Sequence, residues 1–465
     1  MMTLAEAARA LAAQLEGADA GFDGVSTDSR TIRRGELFVA LHGERYDGHR
    51  FLAEAAAVGA AGAIVARERL LAAADRSAWA ALPLIVVSDT RIALGKLAAH
   101  WRGRYGRPLV ALTGSSGKTT VKEMLAGVLR AACGASAGGA EQVLATRGNL
   151  NNDIGVPLTL LELEPQHRYA VIEMGMNHAG EIRYLAQLAS PDVAVVTNAG
   201  RAHIEYLGSE EAIARAKGEI YEDLKEGAKA VINTDDQYAG LWRETAGAHE
   251  RIEFGLNGRD VSARYRLHPL ATDLTLRTPH GEAQMRLNAP GVHNVRNALA
   301  AAAVAVALEI PPATIAAGLA SFAGVKGRLQ HRRTARGGSL IDDTYNANPD
   351  SVRAAIDVLA ALPGRRVLVL GDMGELGSRG PQLHAEVGEY ARAAGIDHLM
   401  LLGELTAGTA RAYGENARRF GDVESLVAAV KPLLAQDVTV LVKGSRFMRM
   451  ERVVQALCGA AAGGH

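Results

Sequence analysis

A glycine-rich run in the first half of the sequence is the strongest candidate for chemistry. It lies between the apolar run PLVAL and the helical pattern TVKEMLAGVLRAA, and it consists of Gly114, Ser115, Ser116, Gly117, Lys118, Thr119 and Thr120. A turn between a strand and a helix presents backbone N–H groups and the positive end of the helix to phosphate oxygens. We expect the Lys118 ammonium at the β- and γ-phosphates of ATP and the Thr119 hydroxyl at Mg²⁺.

The spacing of this phosphate loop departs from the common motif. Only two residues separate Gly114 from Gly117, and Leu112 stands where the motif has its first glycine. A glycine-rich turn without a ligand is the alternative, but the strand–turn–helix context favours nucleotide binding. Because kinases, ATPases and ligases all use such a loop, it does not name a reaction by itself.

Two polar side chains follow neighbouring predicted strands. Glu173 lies near the end of the run YAVIEM, and His203 comes shortly after the run DVAVVTN. The carboxyl ends of parallel strands meet at one edge of a sheet, where ligands bind. The carboxylate of Glu173 is therefore a predicted Mg²⁺ ligand, with a helix-capping acid as the alternative. His203 has two open roles, a metal or phosphate partner and an ordinary surface histidine.

Lysine is scarce in this sequence, so each one merits inspection. Nine of the 51 basic residues are lysines. Lys217 lies in the helical pattern EEAIARAKGEIYEDL, whose acidic side chains favour a solvent-exposed position. Lys443 ends the predicted strand TVLVKGS, so a role in a pocket and an ordinary strand-end position are both open. Apart from Lys118, the others are expected to be solvated: Lys96, Lys122, Lys225, Lys229, Lys326 and Lys431.

Three regions must position these residues, which predicts an α/β protein of three domains. Residues 1–105, the first region, mix short β-rich runs with helical stretches and predict a smaller mixed α/β domain. Residues 106–327, the central region, alternate strands with helices and predict a parallel P-loop ATPase-like sheet. Within them, residues 252–290 predict a small antiparallel β subregion with a hairpin turning at 279–281. Residues 328–465, the third region, predict a doubly wound, Rossmann-like α/β domain.

Composition excludes several classes of protein. The 465 residues are 48% hydrophobic and 22% charged, which excludes disorder as the main theme. The 51 basic and 51 acidic residues cancel, which argues against a nucleic-acid partner. The longest apolar run, residues 298–308, is too short to span a membrane. Only two cysteines occur, and the N-terminus lacks a signal-peptide pattern, so we expect a cytoplasmic protein.

The ordered set of motifs resembles the Mur ligase family of ATP-dependent amide ligases. The set spans nearly the whole chain and comprises TGSSGKTT, EMG, TNAGRAHIEYLGS, AKGEI, GVHNVRNALAAAAVA, GR at 327–328, DDTYNANPDS, LGDMGELG and KGSR. With NLNNDIGVPLTL, the last three motifs most resemble members that add D-alanyl-D-alanine to UDP-N-acetylmuramoyl-tripeptide. The resemblance implies an acyl-phosphate intermediate and a place in peptidoglycan precursor synthesis. The third residue of the tripeptide is left open between diaminopimelate and lysine.

Two alternatives differ in substrate or in class. A Mur-type ligase could add a single amino acid, or glutamate to a folate, but the sequence has no DNPR motif and it carries the run STDSR near its N-terminus. A P-loop nucleotide-binding regulator or kinase without ligation is the alternative from another class. The third α/β domain and the segment DDTYNANPDS argue against that alternative.

The resemblance also implies a metal site that the residues alone do not. Lys217 matches the family lysine that CO₂ carbamylates, and arginine could not replace it because it remains protonated. The carbamate, Glu173 and His203 match ligands of two Mg²⁺ ions, and Arg328 matches the arginine that faces the γ-phosphate. Lys118, His203, Lys217 and Arg328 are therefore the expected catalytic residues.

The remaining implied roles concern substrate binding. Asn294 and Asn297 match a pair beside adenine, and Asp343 matches the acid on the ATP ribose. The first region is implied to bind the uridine nucleotide through residues 43–49 and Ser26, Thr27, Asp28, Ser29 and Arg30. Asn149, Asn151 and Asn152 are expected at the sugar-peptide part, and the third region is expected to take D-alanyl-D-alanine. We expect a monomer.

Overall fold

The computed structural model describes residues 1–43, 46–72, 77–134, 141–202 and 204–458. Its sheets are distributed over three α/β parts, and the fold class predicted from the sequence is confirmed. None of the helices in these described ranges is long and apolar enough to cross a membrane. His203, for which the sequence left two roles open, lies outside the described residues.

The first region forms a small mixed α/β unit. Its elements are β1 (Met2–Thr3), α1 (Leu4–Ala10), β2 (Gln14–Glu16), β3 (Gly21–Phe22), β4 (Gly24–Ser26), β5 (Glu36–Val39), β6 (His42–Gly43), β7 (Tyr46–Asp47), α2 (Leu52–Val58), β8 (Gly62–Ala66), α3 (Arg67–Ala72), β9 (Leu84–Val87) and α4 (Thr90–Arg102). The main sheet has the order β2-β9-β8-β5-β4, with β2 antiparallel and the other strands parallel. Asp89 caps α4 by accepting hydrogen bonds from Arg91 N and Ile92 N, which fixes where that helix begins.

The central region is built on a parallel sheet. Its first elements are β10 (Leu109–Thr113), α5 (Lys118–Cys133), β11 (Val143–Ala145), α6 (Gly155–Leu161), β12 (Tyr169–Glu173), α7 (Glu181–Ala189), β13 (Val193–Val196), α8 (Ile204–Leu207), α9 (Glu210–Gly218), β14 (Lys229–Asn233), α10 (Ala239–Thr245) and β15 (Glu250–Phe254). The strand order is β11-β12-β10-β13-β14-β15. Strand β10 is apolar on both faces because each face packs into a hydrophobic core. Leu109 and Ala111 belong to one core, and Val110 and Leu112 belong to a second core on the opposite face.

An antiparallel subregion and two helices complete the central region. They are β16 (Ser262–Leu267), β17 (Thr272–Thr278), β18 (Gly281–Leu287), α11 (Val292–Ala307) and α12 (Pro312–Ala320). Thr278 pairs with Gly281, so the predicted hairpin at 279–281 is confirmed. Helix α11 is buried along nearly its whole length and packs with α12 against α5, the helix that follows the phosphate loop. This packing holds α11 beside the phosphate loop.

The third region contains a second sheet, parallel except for one edge strand. Its elements are β19 (Gln330–Arg333), β20 (Ser339–Asp343), α13 (Pro349–Ala360), β21 (Arg365–Gly371), α14 (Gly380–Ala393), β22 (His398–Leu402), α15 (Thr406–Tyr413), β23 (Ala417–Phe420), α16 (Val423–Val430), β24 (Val438–Lys443) and α17 (Glu451–Cys458). The strand order is β19-β20-β24-β21-β22-β23, with β19 antiparallel to β20. Asp343 and Lys443 are the last residues of neighbouring parallel strands, so the sheet places them side by side.

Candidate active site

The carboxyl ends of both parallel sheets open into one cleft. The cleft has a volume of about 1160 Å³. The central region lines it with the phosphate loop and the ends of β12 and β13, and the third region with the segment after β20 and with Lys443. The first region contributes Arg91, at the start of α4. A cleft at the carboxyl ends of parallel strands is the usual place for a ligand in such folds.

Two glycines give the phosphate loop its shape. Gly114 and Gly117 have positive φ angles of 153° and 82°. A Cβ atom on Gly114 would lie 1.8 Å from Thr197 Oγ1, and one on Gly117 would lie 2.3 Å from Asn297 Oδ1. Both backbone conformation and space therefore require glycine at these positions. The structure also brings Asn297 of α11 against the loop, with its Nδ2 donating to Asn294 Oδ1 at 3.1 Å.

Two cations from different regions meet at this loop. Lys118 Nζ donates to Gly114 O at 2.7 Å, and Arg328 Nη2 donates to Thr119 Oγ1 at 2.9 Å. Burial lowers the pKa of Lys118, and the charge of Arg328 lowers it further, while Glu173 opposes the shift. The Arg328 guanidinium stacks 4.3 Å above the Tyr345 ring, and its buried Nε has no hydrogen-bond partner in the described residues. A buried donor left open at a phosphate loop fits an anionic ligand.

Glu173 has the features of a metal ligand. It is buried at the end of β12, and its Oε1 accepts a hydrogen bond from Asn151 Nδ2 at 3.0 Å. Its Oε2 is buried without a hydrogen-bond partner in the described part of the chain. Within the described ranges no group of three or more His, Cys, Asp and Glu residues could hold a metal ion. A Mg²⁺ ion here would take its other oxygen ligands from a nucleotide and from Thr119, which matches how Mg²⁺ binds in nucleotide sites.

The sequence-based expectation of a solvent-exposed Lys217 is wrong. The side chain is 1% exposed, at the end of α9. Burial and the nearby charge of Lys118 hold the pKa of Lys217 well below its ordinary value. Among the described residues no acidic group pairs with it, so its surroundings favour the neutral amine over the ammonium. Of the acids that suggested solvation, Glu211 is exposed and pairs with Arg215, whereas Glu219 is itself buried and accepts hydrogen bonds from Gly180 N and Arg183 N.

A second lysine, Lys122, was also wrongly expected in solvent. It is 1% exposed on α5, and its Nζ donates to Thr146 O at 2.6 Å. Thr146 Oγ1 in turn accepts from Glu173 N at 2.9 Å. Lys122 therefore anchors the segment that holds the backbone of Glu173.

The third region presents a closed ion pair to the same cleft. Lys443 Nζ donates to Asp343 Oδ2 at 2.6 Å and to Asn346 O at 2.9 Å, and both charged residues are buried. Burial raises the pKa of Asp343, and Lys443 opposes that shift. His293, on α11, faces this pair. Burial and the charge of Lys443 lower its pKa to about 4, so the ring is neutral at pH 7.

The predicted substrate residues fall into two groups. Asn149, Asn151 and Asn152 line the cleft, as do Asn294 and Asn297. The run Ser26, Thr27, Asp28, Ser29 and Arg30 does not line it, because Ser26 ends β4 in the first region and the next four residues form the turn that follows. There Arg30 makes a bidentate ion pair with Asp28, with contacts of 2.8 and 2.6 Å, and this contact lowers the pKa of Asp28 to about 2. In the neighbouring stretch 43–49, positions 44 and 45 lie outside the described residues.

Sequence reasoning missed the contacts that hold the third region to the central one. Arg201 donates to Asp350 at 2.6 Å and to Glu386 at 2.9 Å, from the loop after β13 to helices α13 and α14. Asn348 Nδ2 donates to Ser116 Oγ at 3.3 Å, in the phosphate loop. The capping pattern of Asn348 and Ser351 could have located the start of α13. No pattern in the sequence indicates that Arg201 pairs with Asp350 and Glu386, which lie 149 and 185 positions further along the chain.

Comparison with known proteins agrees with this geometry. Residues 112–305 match the Mur ligase middle domain, residues 327–446 the Mur ligase glutamate ligase domain, and residues 21–102 the Mur ligase family catalytic domain. The chain belongs to the Mur ligase family. As a Mur ligase it is an ATP-dependent enzyme that forms amide bonds, and ATP and Mg²⁺ are the groups that the phosphate loop and Glu173 fit.

Relatives of this Mur ligase match over nearly its whole length. The UDP-N-acetylmuramoyl-tripeptide–D-alanyl-D-alanine ligase of Escherichia coli (strain K12) is 43% identical over 463 residues, covering 98% of both chains. A crystal structure of MurF from Acinetobacter baumannii has a TM-score of 0.88 at 38% identity, covering 97% of this chain and 98% of the other. MurF ligase from Thermotoga maritima, solved in complex with ADP, has a TM-score of 0.81 at 29% identity, covering 93% and 96%.

Proposed function

We propose that this Mur ligase joins the terminal carboxylate of UDP-N-acetylmuramoyl-tripeptide to the amine of D-alanyl-D-alanine, with ATP converted to ADP and phosphate. Its relatives with that printed name, up to 43% identical over the full chain, support the choice of substrates. The observation that carries the chemistry is the meeting of Lys118 and Arg328, from different regions, at one phosphate loop. The reaction serves peptidoglycan precursor synthesis in the cytoplasm, a reducing compartment that suits its two free cysteines.

Each region has a separate task in this proposal. The first region binds the uridine nucleotide, with Ser26 to Arg30 as candidate contacts, and Asn149, Asn151 and Asn152 meet the sugar-peptide part. The central region binds ATP, with Asn294 and Asn297 beside adenine. The third region takes D-alanyl-D-alanine and contributes Arg328, while Asp343 is the candidate contact of the ribose. The described residues of all three regions line the cleft, and the proposed state is a monomer.

The first step joins two anions. The tripeptide carboxylate attacks the γ-phosphorus, the bond to the β–γ bridging oxygen breaks, and an acyl phosphate and ADP result. Lys118, Arg328 and the N–H groups of the loop lower the repulsion between the anions and stabilise the charge on the transferring phosphoryl group. Bound Mg²⁺, held by Glu173 and Thr119, would supply further positive charge at the phosphates.

The second step forms the amide bond. The neutral amine of D-alanyl-D-alanine attacks the acyl carbon, the carbon–oxygen bond to phosphate breaks, and the nitrogen releases a proton. Water would compete for the acyl phosphate. Arg201 with Asp350 and Asn348 with Ser116 hold the third region against the phosphate loop, which limits the access of water.

Carbamylation of Lys217 is the finer part of this proposal. A neutral amine can attack CO₂, form a nitrogen–carbon bond and lose a proton, which leaves an anionic carbamate. Lys217 supports this step because its buried amine has a strongly lowered pKa and no acidic partner in the described residues. The carbamate would also offset the positive charge of Lys118 and offer oxygen atoms to Mg²⁺. His203 remains a proposed ligand on its position after a strand end in the sequence and on the family resemblance.

Lys217→Ala tests the carbamate. We expect kcat to fall by about 100-fold and added acetate or propionate to restore part of it, because a small carboxylate can occupy the vacated space. Lys225→Ala, at a half-exposed lysine paired with Asp192, is the matched control and should show neither loss nor rescue. Full activity of Lys217→Ala without added carboxylate would contradict the proposal.

The overall reaction is tested by ADP formation from defined substrates. We expect ADP to form at a high rate only when ATP, UDP-N-acetylmuramoyl-tripeptide and D-alanyl-D-alanine are all present, with the pentapeptide product seen by mass spectrometry. Single amino acids in place of the dipeptide should give little ADP. ADP formation from ATP alone, unaffected by either substrate, would instead favour a nucleotide-binding regulator.

A further inference from the structure

An ion pair at the first-region end of the cleft has no task in the mechanism above. Arg91, at the start of α4, makes a bidentate contact with Asp153, including Nη2 to Oδ1 at 2.6 Å. Both residues line the cleft, and their side chains are 54% and 31% exposed. Arg91 is the cation that the first region contributes to the described cleft lining. The pair therefore presents one positive and one negative group to a bound ligand.

The backbones on both sides of this pair are fixed. Asp89 caps α4 and accepts from Arg91 N at 2.7 Å. Asn152 Oδ1 accepts from Gly155 N at 2.9 Å, which fixes the turn that carries Asp153 into α6. The pair is therefore preorganised, and binding of a ligand costs little additional entropy for ordering these two side chains.

The pair lies close to the reacting end of the substrate. Asn151, which donates to the candidate metal ligand Glu173, is two residues from Asp153. Two residues span at most about 7 Å. The reacting carboxylate must approach the phosphate loop beside Glu173, so the side chain of the same amino acid comes within reach of the pair. The side chain of diaminopimelate extends over four carbon–carbon bonds, roughly 5 Å, before its second charged centre.

We infer that Arg91 and Asp153 recognise the zwitterionic end of a diaminopimelate side chain as the third residue of the tripeptide, an inference that rests on the proposed function. The Arg91 guanidinium binds the distal carboxylate, and the Asp153 carboxylate binds the distal ammonium. Arginine suits a carboxylate because its planar fork can bind both oxygens. A lysine side chain offers only the ammonium, so Arg91 gains nothing from it.

The test compares two tripeptide substrates, one with diaminopimelate and one with lysine, each with ATP and D-alanyl-D-alanine. We expect the wild-type kcat/KM to be at least about tenfold higher for diaminopimelate, since charge-assisted hydrogen bonds discriminate by that factor or more. Arg91→Gln should abolish this preference through a higher KM for diaminopimelate, with the lysine substrate changed by less than about threefold. Asp153→Asn should weaken both substrates, since both carry the ammonium.

A matched control separates recognition from structure. Arg183 pairs with Glu222 at similar exposure outside the cleft, so Arg183→Gln should leave the preference unchanged. Equal loss for both substrates in Arg91→Gln would show that the pair only holds the first and central regions together, and equal wild-type use of both tripeptides would also overturn the inference. If the wild type makes no pentapeptide from either tripeptide, the proposed function itself fails.

Discussion

Both parallel sheets place the carboxyl ends of their strands at the cleft, but the buried charged groups at the two edges differ in whether they are paired. At the central edge, Glu173 Oε2 is buried without a hydrogen-bond partner in the described residues, and the buried Lys217 side chain has no acidic partner among them. At the third-region edge, Asp343 and Lys443 are equally buried but form an ion pair with contacts to neighbouring backbone. In both cases the acid is the last residue of a strand.

The difference shows which edge is prepared for ligands. An unpartnered buried polar group destabilises the protein unless something binds it, so the central edge is arranged for phosphate, metal and modification. The third-region edge satisfies its charges internally and holds its loops in place for the cleft. Substitutions at the central edge should therefore affect mainly activity, whereas loss of Lys443 from the closed pair should also lower stability, in addition to any effect on the proposed ribose contact of Asp343.

The largest expected effect is on activity at the central edge. Lys118→Ala should lower ADP formation by about 1,000-fold or more, because a cation at the transferring phosphoryl group is lost. Binding of UDP-N-acetylmuramoyl-tripeptide, measured by calorimetry, should remain, since the proposed uridine site lies in the first region. Lys96→Ala, on the exposed face of α4, is the control. Loss of tripeptide binding together with activity would indicate misfolding and would not support a phosphate role.

The next prediction contrasts how substitutions of two buried lysines change the stability of the protein. Lys443→Met should lower the free energy of unfolding by about 3 kcal/mol, because it leaves Asp343 buried and unpaired. Lys217→Met should instead raise it by about 1 kcal/mol in CO₂-free buffer, because no acid loses a partner. Urea unfolding of both variants measures the contrast. Destabilisation of equal size in both would remove the distinction between the two edges.

The smallest effect concerns His293, which lies between the edges. Its pKa is about 4 in the folded protein, against an ordinary value of 6.5 in the unfolded chain. Between these values the unfolded state binds more protons, so stability should fall as pH drops from 6.5 to 4. The loss is on the order of 2 kcal/mol and should be absent in His293→Gln, as measured by urea unfolding at pH 7 and pH 4.5. An NMR-measured pKa near 6.5 would contradict the influence of burial and Lys443.

Local pattern explains how much of this site was predictable. The phosphate loop is formed by consecutive residues, so strand, turn and helix could be assigned from the sequence, and Glu173 followed from the strand-end rule. Asp343 was named only by the family resemblance. Lys217 and Lys122 were misassigned because local composition does not report what packs over a helix face. The resemblance to a family supplied the proposed role of Lys217, whereas its burial came only from the structure.

The sequence by itself determined the α/β class, the hairpin at 279–281 and the phosphate loop, because periodicity and turn chemistry act within a few residues. Tertiary structure alone decided which charges meet. Arg328 reaches Thr119 across 209 positions, Lys443 reaches Asp343 across 100, and Arg91 reaches Asp153 across 62. Such contacts depend on how sheets and regions pack, and a single sequence carries no local signal for them. The unpaired groups at the central edge and the ion pair at the third-region edge could therefore be identified only from the tertiary structure.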